Sequence, residues 1–214
     1  MTGAPIENGG GSSMIRVDLQ LIADMIEPGS RVLDVGCGDG ALLAYLAQTK
    51  QTDGRGVELS MAGVSKSVRS GLSVIQGDAD TDLKDYPTGA FDYVVLSQTL
   101  QAMRRPRDVV ENLVRISRYA IVSFPNFAYW RVRMALMFSG KMPVTDTLTD
   151  AWYDTPNIHH CTVKDFVETC RESNIVIEQA IPLTRDGGAM RVPATGPLGN
   201  LFAEQAMFVL RRPD

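Results

Sequence analysis

Short apolar runs alternate with amphipathic stripes along this chain as far as about residue 126, and then the rhythm breaks. Asp18 to Ile26 puts Leu19, Ile22, Met25 and Ile26 on one helical face, a stripe expected to cover a sheet edge, and Pro28-Gly29-Ser30 ends it. Val32-Leu33 with Val35 reads as a first strand, followed by a helix from Ala41 to Leu46. Arg55 to Ser60, Leu72 to Ala79 and Phe91 to Ser97 read as strands two, three and four. Pro106 to Ser117 supplies a helix, and Tyr119 to Phe124 a fifth strand that stops at Pro125. Such alternation means parallel strands joined by right-handed crossovers, because each helix must pack back onto the sheet. Asn174 to Pro182 and Gln205 to Arg211 read as strands six and seven. Leu183 to Glu204 between them is rich in glycine and proline and too short on pattern for a crossover helix, so the final pair is expected to be antiparallel. The fold class expected is α/β: one domain, a seven-stranded and mostly parallel sheet with an antiparallel C-terminal strand, and helices on both faces.

Beyond Pro125 the chain changes character. Residues 127 to 138 have helical propensity but are apolar nearly all the way round, with Phe127, Trp130, Met134 and Phe138 at spacings of three and four. A helix of that kind has to be buried on several sides or bury a face against another body. Residues 127–158 are therefore expected to form a lid over a ligand cleft or a docking insertion for a partner protein, and the pattern leaves both open. Both histidines, His159 and His160, follow in the loop before Val163 to Cys170, a helix that Thr162 and Asp165 are placed to cap. Neighbouring side chains on an extended chain point to opposite sides, so His159-His160-Cys161 is a poor metal set and no metal site is expected. His159 is kept as a candidate general base, since imidazole exchanges a proton near neutral pH; a structural loop histidine is the plainer reading.

Composition narrows the class. The 214 residues are 44% apolar, enough for one layered α/β core and too few for two. A flexible tail is expected over residues 1–13, glycine- and serine-rich around Asn8 to Ser13, ahead of one domain over 14–214, with Met14 as an alternative functional start. A net charge of −4 leaves no basic footprint for nucleic acid. No apolar run approaches the ~20 residues of a membrane span, and the N-terminal stretch lacks an apolar signal core. Cys37, Cys161 and Cys170 show no paired spacing, so no disulfide framework is expected and a reducing cytoplasm is the expected location.

The chemistry concentrates in Val32-Leu33-Asp34-Val35-Gly36-Cys37-Gly38-Asp39-Gly40, a strand running into three alternating glycines and then a helix. Glycines there allow positive φ and close approach of a ligand, and the opening helix offers unpaired N–H groups to a polar or anionic group. Gly36-x-Gly38-x-x-Ala41 satisfies a dinucleotide fingerprint, and Glu58 closes the next strand about 20 residues on, as a ribose ligand would. On that count an NAD-dependent oxidoreductase stays open. Against it, a carboxylate at Asp34 offers a pyrophosphate only repulsion, and an antiparallel final pair is not how a dehydrogenase sheet ends.

The same loop resembles that of class I S-adenosylmethionine (SAM) methyltransferases, a Rossmann-like family whose pattern is two apolar residues, an acid, then three alternating glycines. This resemblance implies Asp34 near the ammonium of the methionine portion, Glu58 on the ribose hydroxyls and Asp78 at the adenine amino group. Gly36, Cys37, Gly38, Leu59, Ala79 and Ser97 would line the same site, with SAM or S-adenosylhomocysteine (SAH) as the ligand. Further blocks sharpen the match: Ser97 to Gln101, Ser123 to Phe127, Tyr153 to His159 and Asn200 to Glu204, in order over residues 14 to 212, resemble the MetW family of bacterial methionine biosynthesis proteins. That resemblance implies a SAM-binding, methyltransferase-like accessory or regulatory partner of homoserine O-acyltransferase, the enzyme that acylates homoserine on the way to methionine. An active methyltransferase on a small molecule is the alternative, because methyl transfer needs alignment of nucleophile, methyl carbon and sulfur more than catalytic side chains. The chain departs from the usual methyltransferase pattern before strand five, where Ser117-Arg118-Tyr119 stands in place of a Pro-Gly-Gly turn, away from the implied cofactor.

Overall fold

The computed structural model describes residues 15–145 and 148–213, so the expected tail over 1–13 and the start at Met14 lie outside the described residues. The strands are β1 (Arg31–Val35), β2 (Asp53–Glu58), β3 (Ser73–Gln76), β4 (Phe91–Ser97), β5 (Ser117–Pro125), β6 (Val176–Leu183) and β7 (Gln205–Arg211). The helices are α1 (Val17–Met25), α2 (Ala41–Lys50), α3 (Met61–Arg69), α4 (Ala79–Asp82), α5 (Pro106–Ile116), α6 (Trp130–Ser139), α7 (Val163–Glu172) and α8 (Pro197–Phe202). One sheet holds all seven strands in the order β3-β2-β1-β4-β5-β7-β6. β7 runs antiparallel between β5 and β6, and the remaining pairs are parallel, as the sequence pattern led one to expect.

Period-two burial sets the layering. Leu33, Val35, Val94, Leu96, Ala120 and Val122 join the side chains of α5 and α7, whereas Val32, Tyr93, Val95 and Ile121 join those of α1 and α2. Strands apolar on both sides have to be covered on both faces. α5 contributes Val109, Val110, Leu113, Val114 and Ile116 to one layer, and α7 contributes Val163, Phe166 and Cys170. Ile22, Ala23 and Ile26 of the α1 segment and Leu42 and Leu46 of α2 build the other. One expectation is corrected here. α1 covers a face of the sheet and not its edge, because alternation in β1, β4 and β5 creates a second apolar face for its stripe to meet.

α6 brings a second correction. Expected to start at Phe127, and either to be buried on several sides or to bury a face against another body, it begins at Trp130, and of its residues Val132 is the buried one, so the first of those alternatives does not hold. Phe127 precedes the helix and stacks on His160 at 4.6 Å between ring centres. The apolar composition of α6 therefore does not serve the core. β6 begins at Val176 rather than Asn174, because Asn174 holds a φ of 53° in the turn that closes α7. The stretch expected as loop before β7 holds the short α8, and Thr162 and Asp165 form the capping box of α7.

Asn126, buried just past β5, ties the late elements together. Its Nδ2 donates to the carbonyls of Asn200 and Ala203, each at 2.9 Å. Its Oδ1 accepts from the N–H groups of Ala128 at 3.1 Å and Val163 at 3.3 Å. Asn126→Ala leaves these four backbone groups wanting inside the protein, at about 1–3 kcal/mol for each that stays dry. Urea unfolding should show a loss of about 3 kcal/mol or more. A change within about 0.5 kcal/mol, typical of an unimportant surface position, would refute the role.

Candidate cofactor site

Strand order changes direction between β1 and β4, and in such sheets ligands bind in the crevice at the C-terminal strand ends. Gly36 follows β1 with a φ of 73°, and a Cβ placed on it would lie 2.8 Å from Thr99 Oγ1. Gly40 holds 79° as the N-cap of α2. Only glycine makes these two turns without strain. The α2 terminus is partly closed by the loop itself, since the Ala41 N–H donates to Asp39 Oδ1 at 3.3 Å. Cys37 packs its side chain with Leu43 and Val74 against β2, where burial pushes the thiol up to about 12.

Glu58, at the end of β2, bridges two turns. Its Oε2 accepts from the Gly38 N–H at 2.9 Å and its Oε1 from the Ser60 N–H at 2.8 Å. Each oxygen keeps a lone pair for a further donor. Asp34 is 4% exposed, and no hydrogen bond or ion pair reaches its carboxylate among the described residues. Burial, with the negative charge of Glu58 behind it, pushes the Asp34 carboxyl up to about 7. A carboxylate in such a place holds its charge cheaply only beside a cation.

Two cavities meet at Gly36. One, of about 390 Å³, runs from Arg16 and Leu19 past Asp34, Gly36, Cys37 and Gly38 to Ser97. The other, of about 290 Å³, is lined by Glu58, Leu59, Asp78, Ala79, Thr99 and Arg104 among others. Every sequence-derived cofactor residue thus lies on one cavity or the other. Asp78 caps α4 by accepting from the Asp80 N–H at 3.0 Å, and its carboxylate lies 3.7 Å from the Arg104 guanidinium.

His159 lines neither cavity. Its backbone N–H donates to the Gln101 carbonyl at 2.9 Å, and its Nε2 lies 3.3 Å from the Arg104 carbonyl, on the far side of the 3₁₀ turn Leu100–Ala102. His160 goes the other way, onto Phe127, and burial lowers its pKa. Among the described residues no three His, Cys, Asp or Glu side chains gather as a metal set. The described part of 127–158 also lines neither cavity. Arg16, Leu19, Thr99 and Arg104 escaped sequence reasoning. The first two reach the crevice through the placement of α1, which no local pattern encodes; for the other two the end of β4 was the sole signal.

A family profile described as methionine biosynthesis protein MetW matches residues 16–210. The chain belongs to the MetW family. The bifunctional methionine biosynthesis protein MetXA/MetW of Rhodopirellula baltica is 33% identical over 209 residues, covering 94% of this chain and 33% of that protein. This MetW-family chain therefore spans about a third of the length of that relative. Among solved structures, the complex between the Haloferax volcanii Trm112 methyltransferase activator and a methyltransferase is similar with a TM-score of 0.67 at 15% identity, covering 93% of this chain and 91% of that one. Magnesium protoporphyrin IX methyltransferase from Synechocystis, with bound SAH, is similar with a TM-score of 0.62 at 18% identity, covering 92% and 80%. These likenesses show the fold, that of Rossmann-like class I methyltransferases. No helix among the described residues is long and apolar enough to cross a membrane.

Proposed function

We propose that this chain binds SAM or SAH across the two cavities and acts as an accessory partner of homoserine O-acyltransferase. The observation that carries the partnership is the Rhodopirellula baltica relative, which joins MetXA, the homoserine acyltransferase, and MetW in one protein. Units joined in one polypeptide meet at a high effective concentration, an arrangement suited to proteins that act together. The donor set supports the ligand. Asp34 offers a buried carboxylate to an ammonium, Glu58 offers a lone pair on each oxygen to two ribose hydroxyls, and Asp78 beside Ala79 offers an acceptor to an adenine amino group. Glu58 is held in place beforehand by Gly38 and Ser60, which lowers the entropy lost on binding. SAM, when bound, supplies an activated methyl group; SAH lacks it. A ligand that favours one conformer of this chain shifts the partner's affinity by its own differential affinity.

The docking surface we assign to the described residues of 127–158, with α6 at its centre. Met137 and Phe138 are 67% and 74% exposed, and Trp152 and Tyr153 stand out from the same segment. Aromatic and methionine side chains are those that interface centres favour. Arg133 is unsuited to a surface test, since its Nε donates to the Ala128 carbonyl at 2.6 Å. Trp130→Ala combined with Phe138→Asp should weaken the complex by at least about 30-fold, the equivalent of one aromatic hot spot, with thermal melting unchanged. Parent-like affinity in that variant would sink the assignment.

The test of the whole reading is to purify the chain with the acyltransferase and assay acyl transfer to homoserine with and without it. A stable complex, and a rate that changes when the chain and then SAH are added, are the expected results. Rapid methylation of a small metabolite by the chain alone would overturn the accessory role in favour of a SAM-dependent methyltransferase.

A further inference from the structure

We propose a second binding site, at the opposite end of the sheet from the cofactor crevice, for a small phosphomonoester. β5 begins at Ser117 and β7 runs to Arg211, yet the two strands pair no further than Ala120 with Leu210. Where that ladder stops lies a cavity of about 490 Å³, lined by Ser117, Arg118, Tyr119, Arg211, Arg212 and Pro213. Its walls are held in place from outside. Ser117 and Tyr119 pair with Phe91 and Tyr93 of β4, and Arg211 pairs with Val176 of β6. The cofactor cavities meet at Gly36, past the other ends of the parallel strands, so this inference does not rest on the cofactor reading.

Charge selects the ligand. Three arginines line the cavity, and among the described residues no Asp or Glu does. The Arg118 guanidinium lies over the Tyr119 ring, 5.3 Å from its centre. Neither Arg118 nor Arg212 has a side-chain hydrogen bond or ion pair among the described residues. Acids in the neighbourhood are already taken. Glu178 pairs with Arg211, and Asp92, whose charge Arg118 feels, is held by Arg31 at 3.2 Å. Arg118 and Arg212 thus form a local positive surplus in a chain whose net charge is −4. A carboxylate carries one charge, which a single guanidinium fork satisfies. A phosphomonoester carries nearly two charges and three strong acceptor oxygens, enough to engage two arginines at once. The cavity has room beyond a phosphoryl group, and Tyr119 and Pro213 offer apolar surface to the organic body that carries it.

Phenyl phosphate, inorganic phosphate and benzenesulfonate are the probes, titrated against the full chain by calorimetry at about pH 8, where the phosphomonoester is a dianion. Phenyl phosphate should bind about fivefold more tightly than inorganic phosphate, which lacks the organic body. It should bind about tenfold more tightly than benzenesulfonate, which carries a single charge. Arg118→Gln combined with Arg212→Gln should weaken phenyl phosphate about tenfold and leave thermal melting unchanged, since both side chains are exposed. Arg69→Gln, at an exposed arginine outside this cavity, should bind as the parent does. Parent-like affinity in the double variant overturns the proposal. So does an equal loss in Arg69→Gln, or a parent that binds none of the three probes. Benzenesulfonate binding as tightly as phenyl phosphate would overturn the phosphoryl assignment, and inorganic phosphate doing so would overturn the organic body.

Discussion

Replacing Glu58 by alanine is expected to lower the affinity for SAH by at least about a hundredfold. In the structure the carboxylate holds the Gly38 and Ser60 N–H groups, and in the proposed complex its remaining lone pairs take both ribose hydroxyls. Charge-assisted hydrogen bonds contribute about 1.5–3 kcal/mol each, so losing two removes about 3 kcal/mol at the least. The alanine variant also releases the Gly38 and Ser60 N–H groups from their side-chain acceptor, which adds an ordering cost on binding and pushes the effect in the same direction. Calorimetric titration with SAH measures it. Unchanged affinity in the variant, or tight NAD binding by the parent, would defeat the ribose assignment and with it the preference for SAM over a dinucleotide.

Acidification is expected to weaken SAH binding by about tenfold per pH unit below about pH 7. Asp34 is pushed up to about 7 by burial and by the charge of Glu58. An ammonium is matched by the ionised carboxylate, so below that pH the free protein must give up a proton before the ligand pairs with it. Stability of the ligand-free chain runs the other way. The folded-state value lies above the ~3.9 of an unfolded aspartate, so the folded chain binds the proton more tightly. Stability attributable to this group is therefore greatest below about pH 4 and is lost as pH rises through about 7. A rise from 3.8 to about 7 corresponds to about 4 kcal/mol across that window. Asp34→Asn should flatten both profiles: SAH affinity becomes weak and insensitive to pH, and the ligand-free protein no longer loses this stability toward neutral pH. SAH affinity that stays level between about pH 5.5 and 7.5 in the parent would refute the pairing of Asp34 with the ammonium.

Much of the fold is legible in the chain because its signals are local. Val32 to Gly40 carries strand, turn and helix start in nine consecutive positions, and the φ values of Gly36 and Gly40 show why glycine stands there. Thr162 and Asp165 announce the start of α7 by a bond that closes within four residues. The glycine-rich approach to β7 disfavoured a crossover helix, and β7 is antiparallel. These features depend on neighbours along the chain, so the chain alone determined them.

Three properties came only with tertiary structure. An amphipathic stripe states which side of α1 is buried but not against what, so its place on the face of the sheet, with Arg16 and Leu19 at the crevice, needed the whole packed layer. The apolar residues of α6 read the same whether they enter a core or await another protein, because hydrophobicity has no direction; that Val132 is its buried residue is a fact of packing. Asp34 is an ordinary acid in the sequence. It becomes a carboxyl that titrates near neutrality when the fold buries it and brings Glu58, far along the chain, close enough to repel its charge. The sequence by itself determined which residues line the loop and strand ends, since that is local geometry; only the tertiary structure decided their electrostatics and which apolar surface was left over, since both arise from groups brought together through space.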